Sequence, residues 1–148
     1  MSIWEWALEV YARPGAPEAC LALQDEHGQN TPLLLWAAWA ETADPDLLAR
    51  AVACARAWDA AAIRPLRAVR RGLKTPTPPV ADALREGLRE DVKAAELRAE
   101  RALLETLAAM TAHPRGGAHA LDALRAASAA WGPAAPDEAL AVLAEALH

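Results

Sequence analysis

The chain has 148 residues and a net charge of −5 at neutral pH. Its length is sufficient for one domain with a hydrophobic core. Apolar residues form 54% of the sequence, which exceeds the roughly 45–50% of typical soluble proteins and excludes disorder for most of the chain. A general nucleic-acid binder would be basic overall, so an acidic chain makes nucleic acid an unexpected partner.

Targeting signals and metal motifs are missing from the sequence. Residues 1–6 contain no cationic region of the kind that opens a secretory signal. The longest apolar run, residues 32–40, is about half the length that a membrane span needs. Two cysteines, Cys20 and Cys54, form neither a disulfide framework nor a zinc motif. We expect a cytoplasmic protein with reduced thiols, no membrane association and no cofactor.

Capping residues at the N-terminus predict the first helix. Ser2 followed by Glu5 is a capping box, which starts a helix close to the N-terminus. Apolar residues then recur at intervals of four and three, and this spacing places them on one helical face. We predict that Trp4, Leu8 and Tyr11 form the buried stripe of this helix.

Three further helices are indicated by caps and prolines. The second is expected from Pro17 to Gly28, because proline favours the first turn and glycine favours the C-terminal stop. Asn30 is a candidate N-cap for the third, whose residues 33–40 are apolar on every side. Such a helix is usually the central one, surrounded by the others. Asp44 repeats the cap signal for a fourth helix.

Residues 64–74 form the most unusual segment of the chain. They carry five positive charges and no acid, so the rest of the chain carries −10. On a helix, four of the cations fall on one side, beside an apolar side. Pro65 predicts a break or kink near residues 62–64 before this basic helix. The five cations are Arg64, Arg67, Arg70, Arg71 and Lys74.

The second half of the chain begins after a proline-rich segment, residues 75–79. The longest helical pattern follows at residues 80–112, with a turn at residues 114–117. Two shorter helices are predicted after it, near residues 119–131 and 136–147. We predict an all-α fold, a compact bundle of about six to eight helices, in a single domain of residues 1–148. The inner face of the long helix is predicted to consist of Val80, Leu84, Leu88, Val92, Ala95, Ala99, Leu103, Leu107 and Met110.

The order of several motifs resembles a known family. They are LxLQDxxG at residues 21–28, LLLWxxW at 33–39, a tryptophan at 58 and PLRxxRRxLK at 65–74. In this order they resemble a set of short, uncharacterised, all-helical proteobacterial proteins that share a domain of unknown function. The resemblance covers residues 4–75, and it implies that this N-terminal half is the functional unit. It implies variable helices in residues 76–148, and it implies no activity.

The basic helix face allows two interpretations. Arginine binds two oxygen atoms at once through its planar guanidinium, so the face could bind a carboxylate, a phosphate or an acidic partner. The alternative is a solvated face, or arginines paired with acids of the same chain. Candidates for such internal pairing are Asp25, Glu26 and Asp59. The sequence leaves both interpretations open.

Two hypotheses about function follow from these residues. The first is a non-enzymatic binding or adaptor protein that presents residues 64–74 to an acidic protein partner. The second is a site for a small anionic ligand, in either a binding protein or an enzyme, formed by Asp25, Arg67 and Arg71 beside Trp36 or Trp39. Binding to a nucleic-acid backbone is a third, less favoured hypothesis.

No catalytic or metal-binding residue is predicted. The histidines lack the helical spacing of metal ligands, and no nucleophile motif is present. The full set of predicted ligand- or partner-binding residues is Gln24, Asp25, Arg64, Arg67, Arg70, Arg71 and Lys74.

Overall fold

A computed structural model describes residues 1–111 and 116–148, and in these residues the fold is all-α. Because α4, a π-helical segment and α5 follow one another without interruption, the helices of the described residues form seven continuous rods. This confirms the predicted compact bundle of six to eight helices. The helices are α1 (Ile3–Tyr11), α2 (Ala16–His27), α3 (Thr31–Ala40), α4 (Pro45–Trp58), the π-helical segment (Asp59–Ile63), α5 (Arg64–Gly72), α6 (Asp82–Met110), α7 (Ala120–Trp131) and α8 (Asp137–Ala146).

The apolar helix α3 lies at the centre of the bundle, as predicted. All of its residues except Trp39 are buried, and α1, α2, α4, α6 and α7 pack around it. The Asn30 side chain accepts a hydrogen bond from the Leu33 backbone N–H at 3.0 Å, which caps the helix. The largest fully buried side chains are Trp36, Leu23, Leu33, Leu34, Leu35, Ile63, Leu103, Leu104, Leu107, Leu124, Leu140 and Leu143.

The other predicted helix ends are also confirmed. The Ser2 hydroxyl accepts a hydrogen bond from the Glu5 backbone N–H at 3.2 Å, and the Glu5 carboxylate accepts one from the Ser2 N–H at 2.7 Å. Gly28 ends α2 in the left-handed region, with a φ of 61°. The Asp44 carboxylate caps α4. These local signals therefore fix where the helices begin and end.

The predicted buried stripe of α1 is wrong for Leu8, whereas Trp4 and Tyr11 are partly buried against the core. Ile3, Ala7 and Val10 are the buried residues, whereas Leu8 is 49% exposed. The bulky residues flank the true stripe, and the small side chain of Ala7 faces the core. Side-chain size therefore misled the choice of face.

The expected break near Pro65 is replaced by the π-helical segment. There the Arg64 backbone N–H donates to the Asp59 carbonyl oxygen, a bond that spans five residues. A proline inside an α-helix removes a backbone donor and clashes with the carbonyl four residues earlier. The wider π turn lies directly before Pro65, and the helix passes through the proline without ending. A continuous rod therefore carries the basic residues of α5.

Helix α6 buries the predicted face only in its C-terminal half. Leu103 is 1% exposed, as predicted, but Val80, Leu84 and Leu88 are 51%, 73% and 52% exposed, so the prediction for these three is wrong. Val80 also precedes α6, which begins at Asp82. Residues four apart on a helix differ in direction by about 40°. A series of such steps therefore turns gradually away from the face that is buried. Arg85 is buried in their place and donates to the Leu73 carbonyl oxygen at 2.6 Å.

Helices α5 and α6 pack along each other as an antiparallel pair, and α2 and α7 pack against α8. The predicted helices near residues 119–131 and 136–147 correspond to α7 and α8. Residues 112–115 lie outside the described residues. They include the predicted end of α6 at residue 112, His113 and part of the predicted turn at 114–117. Over the described ranges, no helix has both the length and the apolar character required to cross a membrane.

Candidate functional site

Two arginines of α5 share one buried carboxylate of α6. The Nε atom of Arg70 lies 2.5 Å from Glu96 Oε2, and the Nε atom of Arg67 lies 3.4 Å from Glu96 Oε1. Their side chains are only 19% and 16% exposed, and that of Glu96 is 9% exposed. Hydrogen bonding to Glu96 raises the pKa of Arg70. Two cations therefore face one anion where water is largely excluded.

The same arginines connect this pair to α2. Arg67 Nη2 donates to Gln24 Oε1 at 3.0 Å, and the Gln24 amide donates in turn to Asp25 at 3.3 Å. Arg71 Nη2 donates to the Asp25 carboxylate at 2.9 Å. The network thus runs from the exposed Asp25–Arg71 pair to the buried Glu96, and it joins three helices.

A cavity of about 320 Å³ opens beside this network. It lies between α1, α2, α5 and α6, and both charged and apolar side chains reach it. Two basic and two acidic side chains line it together with apolar ones, so it suits a small polar ligand better than a purely apolar one. Its lining consists of Tyr11, Pro17, Cys20, Leu21, Gln24, Thr31, Arg70, Lys93, Glu96, Leu97 and Glu100.

Glu100 is the second acid of this cavity. Burial, and then the negative charge of Glu96 one turn away, raise the pKa of Glu100 to about 7, although Arg67 and Arg70 act in the opposite direction. Across residues 1–111 and 116–148, no hydrogen bond or ion pair reaches its carboxylate. Burial and the charge of Glu100 also raise the pKa of the Cys20 thiol to about 12.

The cavity lies entirely within a region that matches a family model. The model is described as a protein of unknown function (DUF2390), and it matches residues 2–107. The chain belongs to the DUF2390 family. The match runs well past the boundary expected at residue 75 and includes most of α6, which supplies Glu96 and Glu100. No curated protein and no solved structure matches the chain.

In this DUF2390 protein the basic face of α5 is not free. Besides Arg67 and Arg70, Arg64 pairs with Asp59 at 2.8 Å and Arg71 pairs with Asp25. Of the two interpretations that the sequence left open, these contacts favour arginines paired within the chain. Internal pairing with Asp25 and Asp59, the alternative from the sequence, is the arrangement observed. Lys74 is exposed, and the described residues provide it with no ion pair.

The two tryptophans predicted to lie beside the arginines lie elsewhere. Trp36 is fully buried, and its indole N–H donates to the Thr111 hydroxyl at 3.0 Å, so it offers no surface to a ligand. Trp39 lines a different cavity, of about 290 Å³, together with Trp6. The predicted placement of Trp36 and Trp39 is therefore wrong. Asp25 and Arg71 meet as predicted, but at the surface and outside the lining of the main cavity.

The acids of α6 were missed from the sequence because the helix is rich in charges of both signs. Such a helix usually carries its acids on a solvated face. Glu100 nevertheless has a distinctive neighbourhood, because Glu96 precedes it by four residues and Leu103 and Leu104 follow it by three and four. No cation lies one turn away on its own helix. That pattern could have indicated a carboxylate on the buried side.

The cavity does not have the composition of a metal site. Among the residues that the structure describes, no group of three or more histidine, cysteine, aspartate or glutamate side chains is placed to hold a metal ion. Glu96 is already bound by two arginines, which compete with any metal. This arrangement is suited to binding, because guanidinium, ammonium, carboxyl and hydroxyl groups line one cavity that is open to solvent.

Proposed function

We propose that this DUF2390 protein binds a small molecule with an anionic group in the cavity between α1, α2, α5 and α6. Arg70 and Lys93 hold the anionic group, and Gln24 contributes an amide. The observation that carries the proposal is the convergence of Arg67 and Arg70 on the single carboxylate of Glu96 at the cavity wall.

The charge balance at this wall favours an anion. Two guanidinium groups face the one carboxylate of Glu96, and Lys93, a further cation of the lining, pairs with Glu90 at 3.2 Å. A net positive charge remains to the extent that Glu100, the second acid of the lining, is neutral. The pKa of Glu100 near 7 keeps part of its population neutral at neutral pH. Ion pairing in a partly enclosed site is screened less than at an open surface, so the excess charge attracts an anion effectively.

The same contacts make docking of an acidic protein on α5 the weaker hypothesis. A docking protein needs guanidinium groups that point outward, and those of Arg67 and Arg70 are mostly covered. Arg64 and Arg71 are 68% and 54% exposed, but each is bound to an aspartate. An external acid would have to replace these internal partners, and exchanging one exposed ion pair for another yields little free energy.

We propose a non-enzymatic role, because Arg70 and Glu96 of the cavity are paired with each other and ligand binding there requires no catalytic step. We also propose that the protein acts in the reducing cytoplasm. Cys20 and Cys54 are both free thiols, which is typical of proteins from that compartment.

A ligand screen with matched variants tests the proposal. Thermal shift with mono-, di- and tricarboxylates and phosphate monoesters identifies binders, and isothermal titration calorimetry then gives their affinities. Arg70→Gln removes the anion-binding group, and Leu97→Trp fills the cavity without changing charge. Their matched controls are Arg125→Gln, an exposed arginine of α7, and Leu84→Trp, an exposed leucine of the same helix.

We expect both cavity variants to weaken binding about ten-fold or more, since one charge-assisted hydrogen bond contributes roughly 1.5–3 kcal/mol. Both controls should bind within about two-fold of the wild type. The proposal is wrong if no anion in the panel binds, or if binders are equally tight to the cavity variants and to the wild type.

A further inference from the structure

The lining of the cavity is polarised along α6. Lys93, Glu96 and Glu100 follow one another at intervals of three and four residues, so they lie on one face of the helix. Seven residues of helix separate Lys93 from Glu100, a rise of about 10 Å. Lys93 thus supplies a cation about two turns before the acid Glu100, and Arg70 supplies another at Glu96, about one turn before it.

We propose that the ligand of this cavity is amphoteric: an amine group pairs with Glu100, and an anionic group pairs with Arg70 and Lys93. This inference rests on the proposed function, and it adds the chemical class of the ligand. Both groups belong to one small molecule, whose apolar middle lies against Leu21 and Leu97.

The argument for the amine begins with the unused carboxylate. Glu96 is occupied by two arginines, but the described residues offer Glu100 neither a hydrogen bond nor an ion pair. Its neighbours at the cavity are Tyr11, Cys20 and Glu96. The charges of Arg67 and Arg70 also act on it, but both arginines are bound to Glu96. An ionised carboxylate that is partly buried without a partner is costly, and burial accordingly raises its pKa. A protonated amine reduces this cost because it brings a positive charge and a hydrogen-bond donor directly to the carboxylate.

The argument for the anionic group rests on unused donors at the other end. Arg70 binds Glu96 through Nε and Nη2, and Nη1 forms no hydrogen bond in the part of the chain that the structure describes. Lys93 pairs with Glu90 at 3.2 Å, where both side chains are largely exposed. That exposed pair is weak, so the ammonium group of Lys93 is available to a ligand.

The apolar lining supports a ligand with a hydrocarbon segment between its two charged groups. Leu21 is 57% and Leu97 is 48% exposed, and both face the cavity. A segment of several carbons covers these side chains and spans the distance between the charged ends. An amino group next to a carboxylate, as in a short amino acid, is too compact to reach both ends.

Three probes that differ only in their charged groups test the inference. They are ε-aminocaproate, which carries both groups, caproate, which lacks the amine, and hexylamine, which lacks the carboxylate. Calorimetry measures each probe with the wild type and with Glu100→Gln, Lys93→Gln and Arg70→Gln. Glu105→Gln, on an exposed part of α6, is the matched control for Glu100→Gln. Circular dichroism verifies that each variant is folded.

We expect wild type to bind ε-aminocaproate about ten-fold more tightly than either single-charge probe. Glu100→Gln should abolish the advantage of ε-aminocaproate over caproate. Lys93→Gln should weaken the binding of both of these carboxylate probes, and Glu105→Gln should leave the affinity for each of them unchanged. Equal binding of ε-aminocaproate and caproate to wild type would overturn the amphoteric ligand but leave the anion site intact. The anion site would be overturned as well if none of the three probes binds. The same conclusion would follow if Arg70→Gln and Lys93→Gln leave the affinities for ε-aminocaproate and caproate unchanged.

Discussion

Arg67 Nη2 donates to Gln24 Oε1 at 3.0 Å, although 43 residues separate the two along the chain. The bond connects α2 with α5, and it brings together the two motifs LxLQDxxG and PLRxxRRxLK. It also fixes Arg67 so that its Nε atom faces Glu96. The amide of Gln24 therefore positions one of the two arginines that bind Glu96, an acid of the cavity lining.

Removal of the shared carboxylate should destabilise the protein strongly. In Glu96→Ala, two mostly buried guanidinium groups lose their counter-ion, and breaking such a pair typically costs about 3–5 kcal/mol. Glu105→Ala removes an exposed carboxylate from the same helix and should cost less than about 1 kcal/mol. Urea unfolding measures both. A similar free energy of unfolding in the two variants would show that Glu96 is not the centre of the network.

The pH dependence of stability should reveal Glu100. Its pKa in the folded protein, about 7, lies above the reference value of 4.5, so folding favours the protonated form. The resulting stability is fully present below pH 4.5 and is lost as the pH rises through 7, with an upper limit of about 3 kcal/mol.

Glu100→Gln lacks this titration, so it should gain stability relative to wild type between pH 5 and pH 8. Chemical unfolding of both proteins across this range gives the difference directly, and the titration of other groups cancels. Charges of Glu96, Arg67 and Arg70, together with Cys20 and Tyr11, surround the carboxylate. A constant difference between the two proteins would contradict the raised pKa.

The two cysteines should react at different rates. Burial raises the pKa of Cys20 to about 12, so almost no thiolate is present at pH 8, whereas Cys54 is only partly buried. In native protein, iodoacetamide should modify Cys54 first and Cys20 at least about 100-fold more slowly. Peptide mass spectrometry identifies the site, and denatured protein should show both modified. Faster modification of Cys20 would mean that its thiol is accessible.

Two leucines of α6 should respond differently to the same substitution. Leu103→Ala opens a cavity in the core and should cost about 2.7–5 kcal/mol. Leu84→Ala changes an exposed side chain and should remain within about 0.5 kcal/mol of wild type. Thermal and urea unfolding measure both values. Equal costs would mean that the N-terminal half of α6 is covered in solution.

Helix boundaries were predictable because their signals are local. Ser2, Glu5, Asn30 and Gly28 act on backbone groups within one helical turn, and no distant contact is needed to interpret them. The buried face of α6 was not predictable in the same way. In its N-terminal half the buried residue is Arg85. A prediction based on the spacing of apolar residues cannot identify a buried arginine.

The candidate site was only half predictable. The sequence identified Gln24, Arg67 and Arg70 through their motifs and through the charge of α5. It could not identify Glu96 as their partner, because that contact depends on how the hairpin of α5 and α6 aligns. A stretch that alternates acids and bases along a helix offers many equivalent pairings, and tertiary packing selects one of them.

The π-helical segment Asp59–Ile63 sets the azimuth of α5. One residue more per turn rotates everything that follows by about 100° compared with an unbroken α-helix. Without that offset, the guanidinium groups of Arg67 and Arg70 would aim about a quarter-turn away from Glu96. A single-residue insertion or deletion between residues 59 and 63 would therefore rotate α5 about its axis. Both arginine side chains would change direction together, although neither residue is replaced.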